Sequence, residues 1–292
     1  MRRSVRLAAL ALLAAPVTLA TFPMAAPLAA QQRGGYETHA YGSDRLQTLD
    51  FWPGATRDAP LVVFVHGGGW KRGSKRMVRD SSKLEHWQAL GYAVAAVDYR
   101  LVPDNTVEQQ GADVANAVAW LRDNASRLGF DRQRIALVGH SAGAHLVALV
   151  GTDPAYFRAA GLAMDDVVGV VPLDGAAYNV PDQMGENAIL MGKTYEQAFG
   201  TDPARQRRLS PNLHTAAPNA PAFLILHVQR EDARRQSNEL AEGLNRAGTP
   251  AEVRDLPGRG LRGHRQINHD MGDPDYAGTA MVDSFLARVF RR

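Results

Sequence analysis

One serine in this chain stands in a context that favours chemistry. It is the middle residue of Gly139-His140-Ser141-Ala142-Gly143. The G-x-S-x-G spacing belongs to a sharp strand-to-helix turn that lifts a serine hydroxyl above a sheet. Glycines on either side let neighbouring backbone pass close. A helix opening directly behind the serine favours developing negative charge. A serine so placed attacks an acyl carbon, and the reaction then needs three further parts: donors for the oxyanion, a histidine to carry the proton and an acid to orient it.

Donors are expected from His66-Gly67-Gly68-Gly69-Trp70, whose three glycines leave bare backbone N–H groups for a substrate. The oxyanion hole is assigned to the N–H groups of Gly68, Gly69 and Ala142, with Gly67 as the alternative member. No G-x-x-x-x-G-K-[ST] pattern follows, which argues against a phosphate loop. His66 reads as a brace for the loop and Trp70 as a wall of the pocket mouth. The acid and the histidine should follow the serine in that order. Asp232, just past an apolar run, is the chosen acid and Glu231 the alternative. His264, at the end of Gly258-Arg259-Gly260-Leu261-Arg262-Gly263, is the chosen base on a flexible glycine-rich loop, with His269 the alternative. His140, His145, His214 and His227 read as packing or segment-end residues. Nothing in the pattern of His264, His269, Asp270 and Asp273 fixes them on one face as metal ligands, so neither metal nor cofactor is expected.

These residues need a scaffold, and the hydropathy pattern supplies one. Short apolar runs at 61–65, 92–97, 135–138, 167–173 and 223–228, with a further run at 252–256, read as strands, and an edge strand is expected around 45–50. Helical patterns alternate with them. One follows a Ser82-x-x-Glu85 capping box, one carries Val107, Val114, Val118 and Leu121, and one opens after Ser141. Leu240 with Leu244, and Val282 with Phe285, Leu286 and Val289, mark two more. Strands alternating with helices predict an α/β chain, a mostly parallel central sheet flanked by helices, with ligands beyond the carboxyl ends of the strands. Residues 178–214 are too long and irregular for a simple crossover and read as a small cap segment.

The first thirty residues are of another kind. Arg2, Arg3 and Arg6 precede an apolar run, and small residues follow, up to Ala29 and Ala30. This is the plan of a secretory signal peptide, so residues 1–30 are expected to be removed, leaving 31–292 as one exported domain with no lasting membrane insertion. The chain has no cysteine, which excludes a lipid-anchored lipoprotein and disulfides alike. Its formal charge of +3 includes those three arginines, and no acid lies among the first thirty residues, so the remainder is neutral. The basic balance therefore points to no nucleic-acid partner. An apolar share of 45% and a charged share of 22% exclude disorder and leave enough material for a sizeable core.

At its motifs the chain resembles the hormone-sensitive-lipase-like and kynurenine-formamidase-like esterases of the α/β-hydrolase fold. The HGGGW run, Asp98-Tyr99-Arg100-Leu101 with Pro103, and the GHSAGAHL elbow carry the likeness, with Ser210-Pro211, Gln236-Ser237 and the His264 to Gly272 pattern further on. The catalytic histidine of that group opens the last pattern, which implies His264 rather than His269. The segment His227-Val228-Gln229-Arg230-Glu231-Asp232 departs from the group, where many members have glycine after the histidine and a longer spacer. The resemblance implies a cofactor-free serine esterase acting on a small-molecule ester. An arylformamidase or amidase with the same triad is the first alternative, and a non-catalytic binding module on the same fold the second.

Overall fold

The computed structural model describes residues 35–186 and 191–291. The expected signal segment and part of the expected cap lie outside the described residues. Eight strands form one sheet: β1 (Glu37–Ala40), β2 (Thr48–Trp52), β3 (Ala59–Val65), β4 (Ala93–Val97), β5 (Phe130–His140), β6 (Gly169–Leu173), β7 (Phe223–Gln229) and β8 (Ala251–Arg259). Their spatial order is β1-β2-β4-β3-β5-β6-β7-β8. From β4 to β8 every pairing is parallel, and β1 and β2 form an antiparallel edge. This is the mostly parallel α/β-hydrolase sheet expected from the sequence. The strand expected at the edge around 45–50 runs over Thr48–Trp52 and lies between β1 and β4, so that β1 is the edge.

In chain order the helices are α1 (Lys83–Ala89), α2 (Val107–Asp123), α3 (Ala125–Leu128), α4 (Ala142–Thr152), α5 (Pro154–Ala159), α6 (Val180–Glu186), α7 (Gly192–Phe199), α8 (Pro203–Arg208), α9 (Glu231–Arg246), α10 (Gly260–His269) and α11 (Ala277–Val289). Side-chain alternation along β3 shows why they cover both faces. Leu61, Val63 and Val65 point into one core with Val114 and Val118 of α2, Leu146 of α4 and Leu240 of α9. Val62 and Phe64 point into the other, with Trp87 of α1, Ile267 of α10 and Phe285 of α11. All these strand residues are fully buried, and each such side chain contributes about 1.5–3 kcal/mol. The capping box expected at Ser82 does not form, since the Ser82 side chain makes no cap hydrogen bond. A reciprocal box closes instead at the start of α2, where Thr106 and Gln109 each accept from the other's backbone N–H. Among the described residues no helix is long and apolar enough to cross a membrane.

Register decides what meets at the carboxyl edge. Val65 pairs with Gly139 across β3 and β5, and His140 pairs with Leu173 across β5 and β6. The residues that follow these strand ends, the His66 run, Ser141 and Asp174, therefore emerge side by side.

Candidate active site

Ser141 sits between β5 and α4 with φ 56° and ψ −117°, a conformation that a non-glycine residue adopts only when its surroundings enforce it. Close packing does the enforcing. A Cβ on Gly139 would come within 2.2 Å of the Gly143 carbonyl oxygen, and one on Gly143 within 2.1 Å of the Val65 carbonyl oxygen. Ser141 N–H donates to the Leu173 carbonyl at 3.0 Å, which ties the elbow to β6.

His264 Nε2 lies 3.0 Å from Ser141 Oγ. Its Nδ1 lies 2.5 Å from Asp174 Oδ2. With Nδ1–H donating to the carboxylate, Nε2 is left to accept the serine proton. Asp174 is fully buried, stands at φ 45° immediately after β6, and accepts the Val228 N–H at 3.1 Å on its other oxygen. This corrects the expected acid. Asp232 is in the first turn of α9, where it accepts from Gln183 Nε2 at 3.2 Å and lies 3.5 Å from Arg230 Nε. It reaches His264 through neither contact. Glu231 is exposed and paired with Arg234. Asp174 carried a signal that sequence reasoning passed over: an aspartate followed by glycine at the carboxyl end of the strand beside the nucleophile strand.

His264 also differs from its expected setting. Strand β8 runs on to Arg259, and the histidine stands within α10, not on a flexible loop. A helix holds an imidazole more firmly, and two contacts fasten this one. His140 Nε2–H donates to the His264 carbonyl at 2.9 Å. The buried Lys83 ammonium bonds the carbonyl and side chain of Asn268, one turn further on. Burial and the neighbouring His264 push the His140 pKa well down, so it serves as a neutral donor. Burial likewise lowers Lys83 to about 7. His269 bonds Asp270 at 2.8 Å on the surface, away from Ser141.

The glycine run lies against Ser141. A Cβ on Gly67 would come within 2.9 Å of Ser141 Cβ. Gly68 and Gly69 have φ of 128° and 60°, and Gly69 faces Thr194 of α7. Ala142 opens α4 and is buried. His66 braces the run as expected. It stacks on Tyr99 with ring centroids 4.3 Å apart, and its Nδ1–H donates to the Gly67 carbonyl at 2.8 Å. Trp70 is no mouth wall, for it is buried. Its Nε1–H donates to His145 Nδ1 at 3.3 Å, and Phe199 and Tyr195 pack against its ring. His145 in turn donates to the Leu209 carbonyl at 2.8 Å, and burial lowers its pKa to about 4. Trp70 and His145 thus pin the glycine loop to the segment holding α6, α7 and α8.

That segment, expected as a cap, is fastened on the other side to α9. Gln236 donates to Gln183 at 2.7 Å and accepts from Asn179 N–H, while Arg235 pairs with Asp182 at 2.9 Å. Arg205 of α8 grips Glu108 of α2 through two bonds of 2.7 and 2.8 Å.

Residues 51–244 match the BD-FAE family. Esterase LipC of Mycobacterium tuberculosis is 33% identical over 235 residues, 75% of this chain and 58% of the relative. Ethyl acetate hydrolase of Pseudomonas putida is 30% identical over 207 residues, 68% of this chain and 64% of the relative. The chain thus spans about three fifths of the length of these relatives. Among solved structures, esterase B from Lactobacillus rhamnosis superposes with a TM-score of 0.69 at 22% identity, covering 88% of this chain and 85% of that one, a likeness of fold.

Proposed function

Because the chain belongs to the BD-FAE family, we propose that it is a serine esterase that hydrolyses short-chain or aryl carboxylic esters through an acyl-enzyme on Ser141. The observation that carries this reading is the unbroken line from Ser141 Oγ through His264 to buried Asp174, with contacts of 3.0 and 2.5 Å. His264 takes the serine proton as Ser141 attacks the acyl carbon. Asp174 holds the imidazole in the right tautomer and balances the imidazolium that forms. The N–H groups of Gly68, Gly69 and Ala142 receive the oxyanion, and His264 then protonates the leaving alcohol. Water, deprotonated by the same histidine, attacks the acyl-enzyme and releases the acid. No step calls for a metal or cofactor.

A preference for small acyl groups is supported by the polar composition of the cap, which includes Asp182, Lys193, Glu196 and the basic stretch from Arg205 to Arg208. It offers little of the apolar wall that rewards each added methylene with about 0.8 kcal/mol. The name of the Pseudomonas putida relative, an ethyl acetate hydrolase, agrees with a small ester. The arginine-led apolar start of the chain supports export with removal of residues 1–30. A panel of p-nitrophenyl esters and aryl formamides, run with wild type and Ser141→Ala beside fluorophosphonate labelling, tests the proposal. Ester turnover and labelling that both vanish in the variant are expected, whereas an unlabelled wild type would support the binding-module alternative. Formamides cleaved far faster than any ester would make the protein a formamidase with this triad.

A further inference from the structure

The contacts around Asp174 include one that the triad does not explain. Arg230, the residue before α9, extends its guanidinium into the space behind the histidine. Nη1 lies 3.4 Å from Asp174 Oδ2 and 3.4 Å from His264 Nδ1. Nη2 donates to the Gly175 carbonyl at 3.3 Å, and Nε faces Asp232 at 3.5 Å. The carboxylate oxygen that accepts the His264 Nδ1–H thus also lies in ion-pair range of the Arg230 guanidinium.

From this geometry we infer that Arg230 is a positioning residue of the hydrolytic site, which fixes the Asp174 carboxylate and supplies its counter-charge. The inference rests on the serine-esterase reading. Asp174 has no exposure, so its carboxylate lacks water to balance its charge. Among the described residues, Arg230 is the permanent positive charge in ion-pair range of that carboxylate. Burial works against the guanidinium, but Asp174, Asp232, Tyr195 and Tyr178 outweigh it and hold the Arg230 pKa above its ordinary value. The charge on this side chain is permanent, unlike that of the histidine it touches.

The guanidinium also fixes direction. The Val228 N–H bonds one carboxylate oxygen while the Arg230 charge attracts the other, and together they resist rotation of the carboxylate away from His264. Anchoring to Gly175, the residue after Asp174, keeps the turn at φ 45° in register with α9. Asp232 thereby gains a role. It stands where sequence reasoning sought the acid, and its carboxylate, itself bonded by Gln183, faces the arginine from behind. The short spacing after His227, a departure from the resembling esterases, places a cation rather than the acid at the end of β7.

The test compares Arg230→Gln, Arg230→Ala and Arg230→Lys, with Ser141→Ala as reference, by kcat and KM on p-nitrophenyl acetate. A displaced orienting group costs about a hundredfold. Arg230→Gln should therefore lose about that factor in kcat with KM changed less than about threefold, because the arginine orients the base and does not bind the ester. Arg230→Lys should recover at least a tenth of wild-type kcat, and added methylguanidinium should raise kcat of Arg230→Ala by about tenfold or more. A merely structural arginine would show neither rescue. Arg230→Gln with kcat within about threefold of wild type would overturn the inference, as would a loss that neither lysine nor methylguanidinium restores. Should the uncharged variants not fold, Arg230→Lys decides alone, with kcat below about a hundredth of wild type counting against it. If Ser141→Ala kept its turnover, the esterase reading itself would fail. A dead Ser141→Ala beside a fully active Arg230→Gln would overturn only the role of the arginine.

Discussion

Replacing Asp174 by asparagine changes one atom and no volume, yet the structure makes it the most damaging conservative change at the site. Two N–H groups bond this carboxylate, Val228 N–H at 3.1 Å on Oδ1 and His264 Nδ1–H at 2.5 Å on Oδ2, and the Arg230 guanidinium lies 3.4 Å from Oδ2 as its ion pair. Asparagine has one acceptor oxygen. If that oxygen serves Val228, the amide NH2 faces His264, and the imidazole must turn its lone pair to Nδ1. Its Nε2 then carries the proton and cannot accept one from Ser141. If the oxygen serves His264, two N–H groups confront each other at Val228 in a fully buried place, at a cost of about 1–3 kcal/mol. Neither orientation offers the negative charge that balances the imidazolium during turnover. The loss in kcat should be about 10⁴-fold, or ~5.5 kcal/mol in the barrier. Asp232→Asn should cost less than about tenfold, because it faces Arg230 and not the imidazole. Steady-state hydrolysis of p-nitrophenyl acetate measures both, and circular dichroism shows that both remain folded. If Asp232→Asn lost more than Asp174→Asn, the assignment of the acid would be wrong and Asp232 restored to that role.

The same assay should find His264→Ala down by about 10⁴-fold or more and His269→Ala within about threefold, since His269 is exposed and bonded to Asp270; the reverse order would move the base to His269. Burial lowers His66 and His145 to about 4 from 6.5, so both stay neutral in the folded chain while the unfolded chain takes up protons as pH falls. Their contribution to stability is complete above about pH 6.5 and is lost on the way down to about pH 4. Burial holds His140 down as well, so three such protons give a slope of about 4 kcal/mol per pH unit in urea titrations, and a flat profile over that window would refute it. Turnover should peak at acyl chains of roughly two to four carbons, within the proposed short-chain preference, and should not jump when the substrate forms an emulsion; strong activity on long-chain triglyceride droplets would reject the polar-cap argument. The N-terminus of protein recovered from an exporting host should lie at or before residue 31, whereas a chain that still begins at Met1 and stays in membranes would make the arginine-led segment an anchor.

What could be read from the sequence follows what each feature depends on. The strands at 61–65 and 135–138, the elbow at Ser141 and the bracing role of His66 are local: a strand, a turn and the glycines that let them pack lie within a few residues of each other. Their chemistry is legible from spacing alone. The capping box shows where locality stops. Ser82-x-x-Glu85 and Thr106-x-x-Gln109 both fit the pattern, but only the second reciprocates, because at Ser82 the chain is held instead by a bond from its N–H to the His269 carbonyl. A propensity that ties with another is decided by whatever long-range contact arrives there.

The acid is the sharper case, because its identity is a property of register rather than of any one segment. Past the nucleophile strand two aspartates follow strand ends, Asp174 after β6 and Asp232 past β7, and a sheet of this kind brings both ends to the same edge. Which of them meets His264 depends on where β8 and α10 deliver the imidazole. The pairing of His140 with Leu173 sets Asp174 directly beside Ser141, one strand away. Past β7, Arg230 intervenes: its side chain fills the space between the two carboxylates and turns Asp232 toward Gln183. An arginine at that position is read in a linear sequence as surface charge. In the fold it becomes the cation around which two carboxylates divide their tasks, one orienting the base and the other holding the arginine. Exchanging Arg230 for a neutral residue therefore removes the barrier that keeps Asp232 away from the histidine. The double variant Arg230→Gln, Asp174→Asn is the place to look for Asp232 taking over. Activity above that of Asp174→Asn alone would show that the carboxyl edge of this sheet holds a second, latent acid, and equal or lower activity would show that the backbone at the start of α9 keeps Asp232 out of reach.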